Sequence, residues 1–404
     1  MLRPVSASVL LLVLCAPAFA ESISGTIYLD PPALAVRADF VVPGHAVIRL
    51  YRDGGAEPLD TVTTLNGHYR FDNLQAGTYW VAVDSKSIGT NVWPEQTFGP
   101  SGALCAQTDG TTRTNFFEGA CAGGRSLKSD DPSSLSTSEH VARVTAPAGN
   151  IDFAFSYNIV TSIEDAGQGT LRQFVENANA IGGPNAMRFV PLTRAVAAAE
   201  NTNLGMPPRW WTIALKSPLP VLRDAGTTID GEAHSILSTA SVADVNPGRI
   251  DEAPYVRKNE PQDLPREEKP ELEIVATGDE GITCEAACTV RGLAIHGTPN
   301  AIVTRADATL EQVVIGSHAN IEDAPKNGNV GLQVERGKAT LRFLYVTIQD
   351  VAGIAVAASG ARVDGDYVHV MRCGTPTSGA GVALLSDGST PAPEVGVPQR
   401  MTCT

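Results

Sequence analysis

Four segments in the last third of the chain are versions of one strand, and four more are versions of a second. The first set is "TVRGLAIHG" from Thr289, "TLEQVVIGS" from Thr309, "TLRFLYVTI" from Thr340 and "RVDGDYVHV" from Arg362. The second set is "AIVTRADA" from Ala301, "GLQVERGKA" from Gly331, "GIAVAASGA" from Gly353 and "GVALLSDGS" from Gly381. Ile302, Leu332, Ile354 and Val382 correspond, and roughly 20 to 30 residues separate neighbours, the period of solenoid coils. One coil of that length cannot bury its apolar row alone and gains a core only by stacking on its neighbours. These residues therefore predict an all-β region built as a right-handed parallel β-helix.

Upstream, "DAGQGTLRQFVENANA" from Asp165 to Ala180 places two glycines before a helix, as a phosphate loop does. A dinucleotide fingerprint needs a third glycine where Arg172 stands, and a P-loop needs Gly-Lys-Ser/Thr, so no cofactor is expected. Thr170 and Gln173 read as a capping box, while Leu171, Phe174, Val175 and Ala178 share one helical face before Gly182-Gly183 ends the helix. A lone amphipathic helix ahead of a strand solenoid is expected to cover the open first coil, whose unpaired edges invite association.

The stretch "VTSIEDAGQGTLRQFVENANAIGGPNAMRFVP", followed by "IALKSPLPVLRDAGTTIDGE", resembles the opening of large bacterial right-handed β-helix surface proteins. That resemblance covers Val160 to Glu232 and implies an exported scaffold. Nearer the start, "SGTIYL", "HAVIRLYR", "DTVTTL", "HYRFDNL" and "TYWVAV" alternate apolar and polar positions between turns and predict an antiparallel sandwich. "AVIRLYRDGG…TVTTLNGHYRFDNLQAGTYWVAV" resembles the SdrD B-like and carboxypeptidase-regulatory-like modules of bacterial surface proteins. The calcium site of some members is not carried over, since the loop after the first strand offers only Asp30 and Asp39 where six to eight oxygens are typically needed. An internal Lys–Asn crosslink is excluded because no lysine lies between Glu21 and Ser85.

The expected organisation is a signal peptide at 1–20, a sandwich at 21–88, a disulfide-containing extension with a closing strand at 89–158, and the helix with its solenoid at 159–404. Arg3, the apolar run Val9–Leu14 and the small-residue site Ala18-Phe19-Ala20 carry the export reading, and Leu14 before Cys15 argues against lipid attachment. The apolar run is too short to span a bilayer, so no membrane insertion is expected. A net charge of −14 without Lys/Arg clusters argues against nucleic acid as a partner. Of the six cysteines after Ala20, Cys105 with Cys121 and Cys284 with Cys288 are the expected disulfides; Cys373 and Cys403 stay open. Cys284, Cys288 and His296 lack a further pair for tetrahedral metal spacing, so no metal is expected.

The expected function is a cell-surface or extracellular scaffold, adhesin-like, with an extracellular glycan or surface protein as its partner. The alternative is a polysaccharide lyase or hydrolase. Its candidate residues are Asp364, Asp366, His369 and Arg372, because two carboxylates two positions apart share one strand face. Asp307 and Asp350 join them only in a particular register. A solvated strand edge is the simpler role for that pair. His296 and His318 are expected to be ordinary outward positions, and Trp210-Trp211 to pack on the helix or first coil rather than stack on sugar. The charged, proline-laden stretch Asp251–Pro270 reads as an exposed excursion. The run after Gly388 shows no closing repeat, which predicts a fragment of a longer protein or a partner that caps the end.

Overall fold

The computed structural model describes residues 20–109, 111–126, 128–197, 209–250, 268–321, 328–347, 349–357, 360–371, 373, 380–385, 395–396 and 401–403. The proposed signal segment before Ala20, residue Arg372, most of the Asp251–Pro270 excursion and most of the run after Leu385 fall outside them, as do the side chains after residue 380, Cys403 included. Strands dominate, and Leu171–Ile181 is the one α-helix among the described residues. Buried apolar side chains collect in two large clusters, one from Ile23 to Phe155 and one from Val160 to Val370.

Period-two alternation builds the first cluster. Strand His68–Leu74 buries Tyr69, Phe71 and Leu74 and turns Arg70 and Asp72 outward. Strand Gly77–Asp84 buries Tyr79, Val81 and Val83 against them. One sheet runs in the order His68–Leu74, Glu21–Leu29, Phe153–Ser156, Glu95–Gly99, Gly119–Ala120; the other runs His140–Ala146, Gly77–Asp84, Val47–Arg52, Asp60–Thr63.

Two features depart from expectation. Glu21–Leu29 pairs in parallel with Phe153–Ser156, so the first sheet is mixed rather than antiparallel. A parallel neighbour arrives by a long connection and leaves no local turn signature. The segment 89–158 is also more than a loop: Glu95–Gly99 and His140–Ala146 complete the two sheets, the latter in register with Gly77–Asp84 from end to end. Its Gly/Ser/Thr-rich composition hides these short strands. The expected Cys105–Cys121 disulfide lies buried in the same core.

Beyond Val160 the pairing is parallel throughout the repeats. Strands Glu280–Cys284, Asn300–Thr304, Val330–Val334, Ala352–Ala357 and Ala380–Leu385 stack into one sheet, with Ile302, Leu332, Ile354 and Val382 in register. Strands alternating with them, Cys288–His296, Ala308–Ile315, Lys338–Thr347 and Arg362–Met371, form the long second sheet. Each of these bends at one stacked position, where Gly292, Gln312, Phe343 and Tyr367 take φ of +65°, +55°, +53° and +56°. The left-handed conformation turns the strand and divides it into two faces. Leu171, Phe174 and Val175 of the helix belong to the same apolar cluster as the inward side chains of these coils. Cys284 and Cys288 form the second expected disulfide at the turn between the two sheets.

The capping box is made by half. Thr170 Oγ1 accepts from the Gln173 amide at 3.2 Å, but the Gln173 side chain donates forward to Asn177 Oδ1 instead of back to the cap. Arg172, which breaks the glycine fingerprint, binds the carbonyls of Asp165, Ser217 and Pro218 and the Asp165 carboxylate, tying the helix start to a neighbouring loop.

Candidate functional site

The double-glycine loop is a joint. Gly169 sits at φ +70°, and a Cβ there would collide with Thr161 Oγ1. Its carbonyl accepts from the Thr161 and Ser162 amides at 2.8 and 3.0 Å. Between the glycines, Gln168 is only 5% exposed. Its Nε2 donates to the Pro94 carbonyl at 2.7 Å and its Oε1 accepts from the Asp130 amide at 2.9 Å. Nε2 also lies 3.1 Å from His140 Nε2. Asn177, on the helix that follows, accepts from the Trp93 amide and donates to its carbonyl. The Gln168 amide donates to Ser129 Oγ and that of Thr170 points at the Gly167 carbonyl, so donors that a phosphate would use are engaged internally. Burial pushes the Glu95 carboxyl beside this joint up to about 8 and pushes His140 down, so both are uncharged at neutral pH.

Asp364 and Asp366 do share an outward face. They belong to two rows that run across five strands: Thr228, Thr289, Thr309, Thr340, Asp364 in one, which continues to Gly396, and Asp230, Arg291, Glu311, Arg342, Asp366 in the other. The second row alternates in sign at every step, beginning with Arg291 Nη2 donating to Asp230 Oδ2 at 2.6 Å. Lys338 Nζ lies 3.0 Å from Asp364 Oδ2, and Asp366 stands in register beside Arg342. Asp307 accepts from the Lys338 amide at 2.8 Å. His369 occupies a different face, beyond the Tyr367 bend, with its ring 6.5 Å from that of Tyr345. The geometry thus pairs Asp364 with Lys338, sets Asp366 in register with Arg342, and separates both aspartates from His369 by the corner.

A second constellation gathers Glu273, His296 and His318, whose ligand-type atoms all lie within 4.8 Å of one another. Each comes from a successive coil: Glu273 from strand Leu272–Val275, His296 from the end of Cys288–His296, and His318 from the turn after Ala308–Ile315. Glu273 Oε2 is 3.1 Å from His318 Nδ1 and accepts from the Ala319 amide at 3.0 Å. Its Oε1 is 3.3 Å from His296 Nε2, close enough for an ion pair but out of line for a hydrogen bond, and neither ring nitrogen of His296 has a hydrogen-bond partner among the described residues. Burial pushes the Glu273 carboxyl up, but the His296 ring, the Ala319 amide and the charge of both histidines outweigh it and leave the group below its ordinary value.

His296 is not an ordinary outward position: it is 2% exposed. The His318 ring stands edge-on to it at 4.9 Å and Glu273 lies against its Nε2, while Ala294, Val314 and Tyr345 pack with Ile250, Ala319, Ile321 and Trp210 in a separate apolar cluster. Trp210 packs 6.4 Å from the His318 ring. Trp211 meets Phe189 edge-on and donates to the Thr193 carbonyl, so neither tryptophan forms an open platform. Reading the strand alternation would have placed Glu273 and His296 on one outer face, but their enclosure depends on segments distant in sequence. Neither a family model nor a curated protein matches this chain.

Proposed function

We propose that this protein is an exported scaffold of the cell surface or extracellular space, in which an SdrD B-like sandwich precedes a right-handed parallel β-helix capped by helix Leu171–Ile181. Its function on this reading is to hold an extended extracellular glycan along the outer face of the coils. The observation that carries it is the pair of in-register rows, one of half-exposed threonines and one of alternating charge. Hydroxyls repeat there at the strand spacing of about 4.8 Å, so a polymer with regularly repeated hydroxyls meets the same contact at Thr228, Thr289, Thr309 and Thr340. Individually weak contacts sum when their spacing matches. Because the charges cancel step by step, the face favours a neutral chain over a polyanion. Two disulfides fit an oxidising compartment, and no helix among the described residues is long and apolar enough to cross a membrane.

The test is retention on immobilised neutral and acidic polysaccharides. Thr309→Arg with Thr340→Arg should weaken binding to a neutral polymer at least about tenfold, a loss of about 1.4 kcal/mol, while leaving the fold intact. Equal retention by the double variant, or retention only by protein ligands, would remove the glycan reading.

A further inference from the structure

Beyond the scaffold role, we propose that Glu273, His296 and His318 bind one divalent transition-metal ion of the zinc class, which ties three successive coils to the turn that covers them. The first argument is distance. With metal–ligand bonds of about 2.0 to 2.1 Å, two ligands on a tetrahedral ion lie about 3.3 Å apart. Glu273 Oε1 is 3.3 Å from His296 Nε2, and Glu273 Oε2 is 3.1 Å from His318 Nδ1. The carboxylate thus meets each histidine at the spacing of two donors on one ion, and one ligand atom from each of the three groups lies within 4.8 Å of the others, with His296 offering Nε2 and His318 offering Nδ1.

The second argument is the state of His296. Its side chain is 3% exposed, yet both ring nitrogens lack hydrogen-bond partners among the described residues. A buried polar group left unsatisfied is costly, and protein interiors rarely retain one. One coordinate bond at Nε2 satisfies the nitrogen that points toward the carboxylate. The surroundings also hold the other ligands in place: the Ala319 amide fixes Glu273, and Asn246 Nδ2 donates to both the Ala319 and Pro270 carbonyls. Such outer contacts orient first ligands in metal sites.

The donor set decides the class of ion. Two imidazoles and one carboxylate suit zinc and its first-row neighbours, whereas calcium and magnesium want oxygen throughout. Three protein ligands leave a fourth position, and the site opens on the side of His318, whose side chain is 31% exposed. A water molecule or an external donor can complete the shell there.

The experiment uses the untagged full chain, stripped with a chelator, dialysed, and titrated calorimetrically with zinc chloride. One ion per chain is expected, with no heat from magnesium or calcium chloride, and a rise in melting temperature of about 5 °C at a hundredfold excess over the dissociation constant. His318→Gln, at the more exposed position, should weaken zinc at least about 100-fold without altering the metal-free melting temperature. His296→Leu should abolish binding and leave the metal-free protein as stable or more stable. Absence of zinc binding to the wild type, or unchanged affinity in His318→Gln, would overturn the site.

Discussion

Arg305 Nη2 donates to Glu280 Oε1 at 2.6 Å, and its Nε donates to Glu335 Oε2 at 2.8 Å, so one guanidinium clamps carboxylates from the coils on either side of its own. Glu285 adds a third carboxylate at 3.2 Å. These groups are partly exposed, which screens their attraction. Removing the cation leaves three carboxylates crowded at one turn. Arg305→Met should therefore cost about 1 to 3 kcal/mol in urea unfolding, and 1 M salt should shrink that difference. A variant as stable as the wild type at low salt would show the clamp to be decorative.

The joint at Gln168 makes stability depend on pH through Glu95. Its carboxyl has an ordinary value of 4.5 and is pushed up to about 8 by burial. Between those values the folded chain keeps a proton that the unfolded chain releases, so stability is full below pH 4.5 and falls as pH rises through 8. Glu271, pushed up to about 7 by burial, acts in the same direction. Glu95→Gln should leave stability near that of the wild type at pH 5 and exceed it at pH 9, by an amount on the order of a few kcal/mol. Thermal melts of both proteins across that range check this; parallel curves would mean that Glu95 ionises freely in the folded chain.

Gly231 and Gly292 meet at the corner between two faces of adjacent coils. A Cβ on Gly231 would run into the Gly292 carbonyl oxygen, a backbone atom with no freedom to yield, whereas one on Gly292 finds its nearest neighbour at 3.4 Å. The left-handed φ of Gly292 alone costs an alanine about 1 to 2 kcal/mol. Gly231→Ala should therefore destabilise clearly more than Gly292→Ala, read as the difference between their melting temperatures. Similar losses would place the close approach elsewhere.

Some of this architecture is legible in the residues and some is not. Ile302, Leu332, Ile354 and Val382 announce their register because each holds the same position of a repeated strand, the first three with buried side chains. The corner after Arg291, Glu311, Arg342 and Asp366 is silent, since only Gly292 among the four bending residues is a glycine. Leu171, Phe174, Val175 and Ala178 mark the buried face of the helix, but the sockets for Gln168 and Asn177 come from residues 85–157 and carry no local signal. The parallel pairing of Glu21–Leu29 with Phe153–Ser156 is hidden for the same reason. His296 reads as an outer strand residue, which it is by alternation; the groups set against its ring, Glu273 and His318, lie more than 20 residues away on either side. The spacing of Asp364 and Asp366 correctly gives a shared face, while the cationic residues Lys338 and Arg342 belong to the preceding coil.

The most direct test of a binding scaffold against an enzyme is product release from the polysaccharides that the protein retains. Wild type and Asp366→Ala should both hold the polymer and generate no new reducing ends or unsaturated sugars. Chain cleavage by the wild type that disappears in Asp366→Ala would contradict the scaffold reading and make the outer row of the coils a catalytic one.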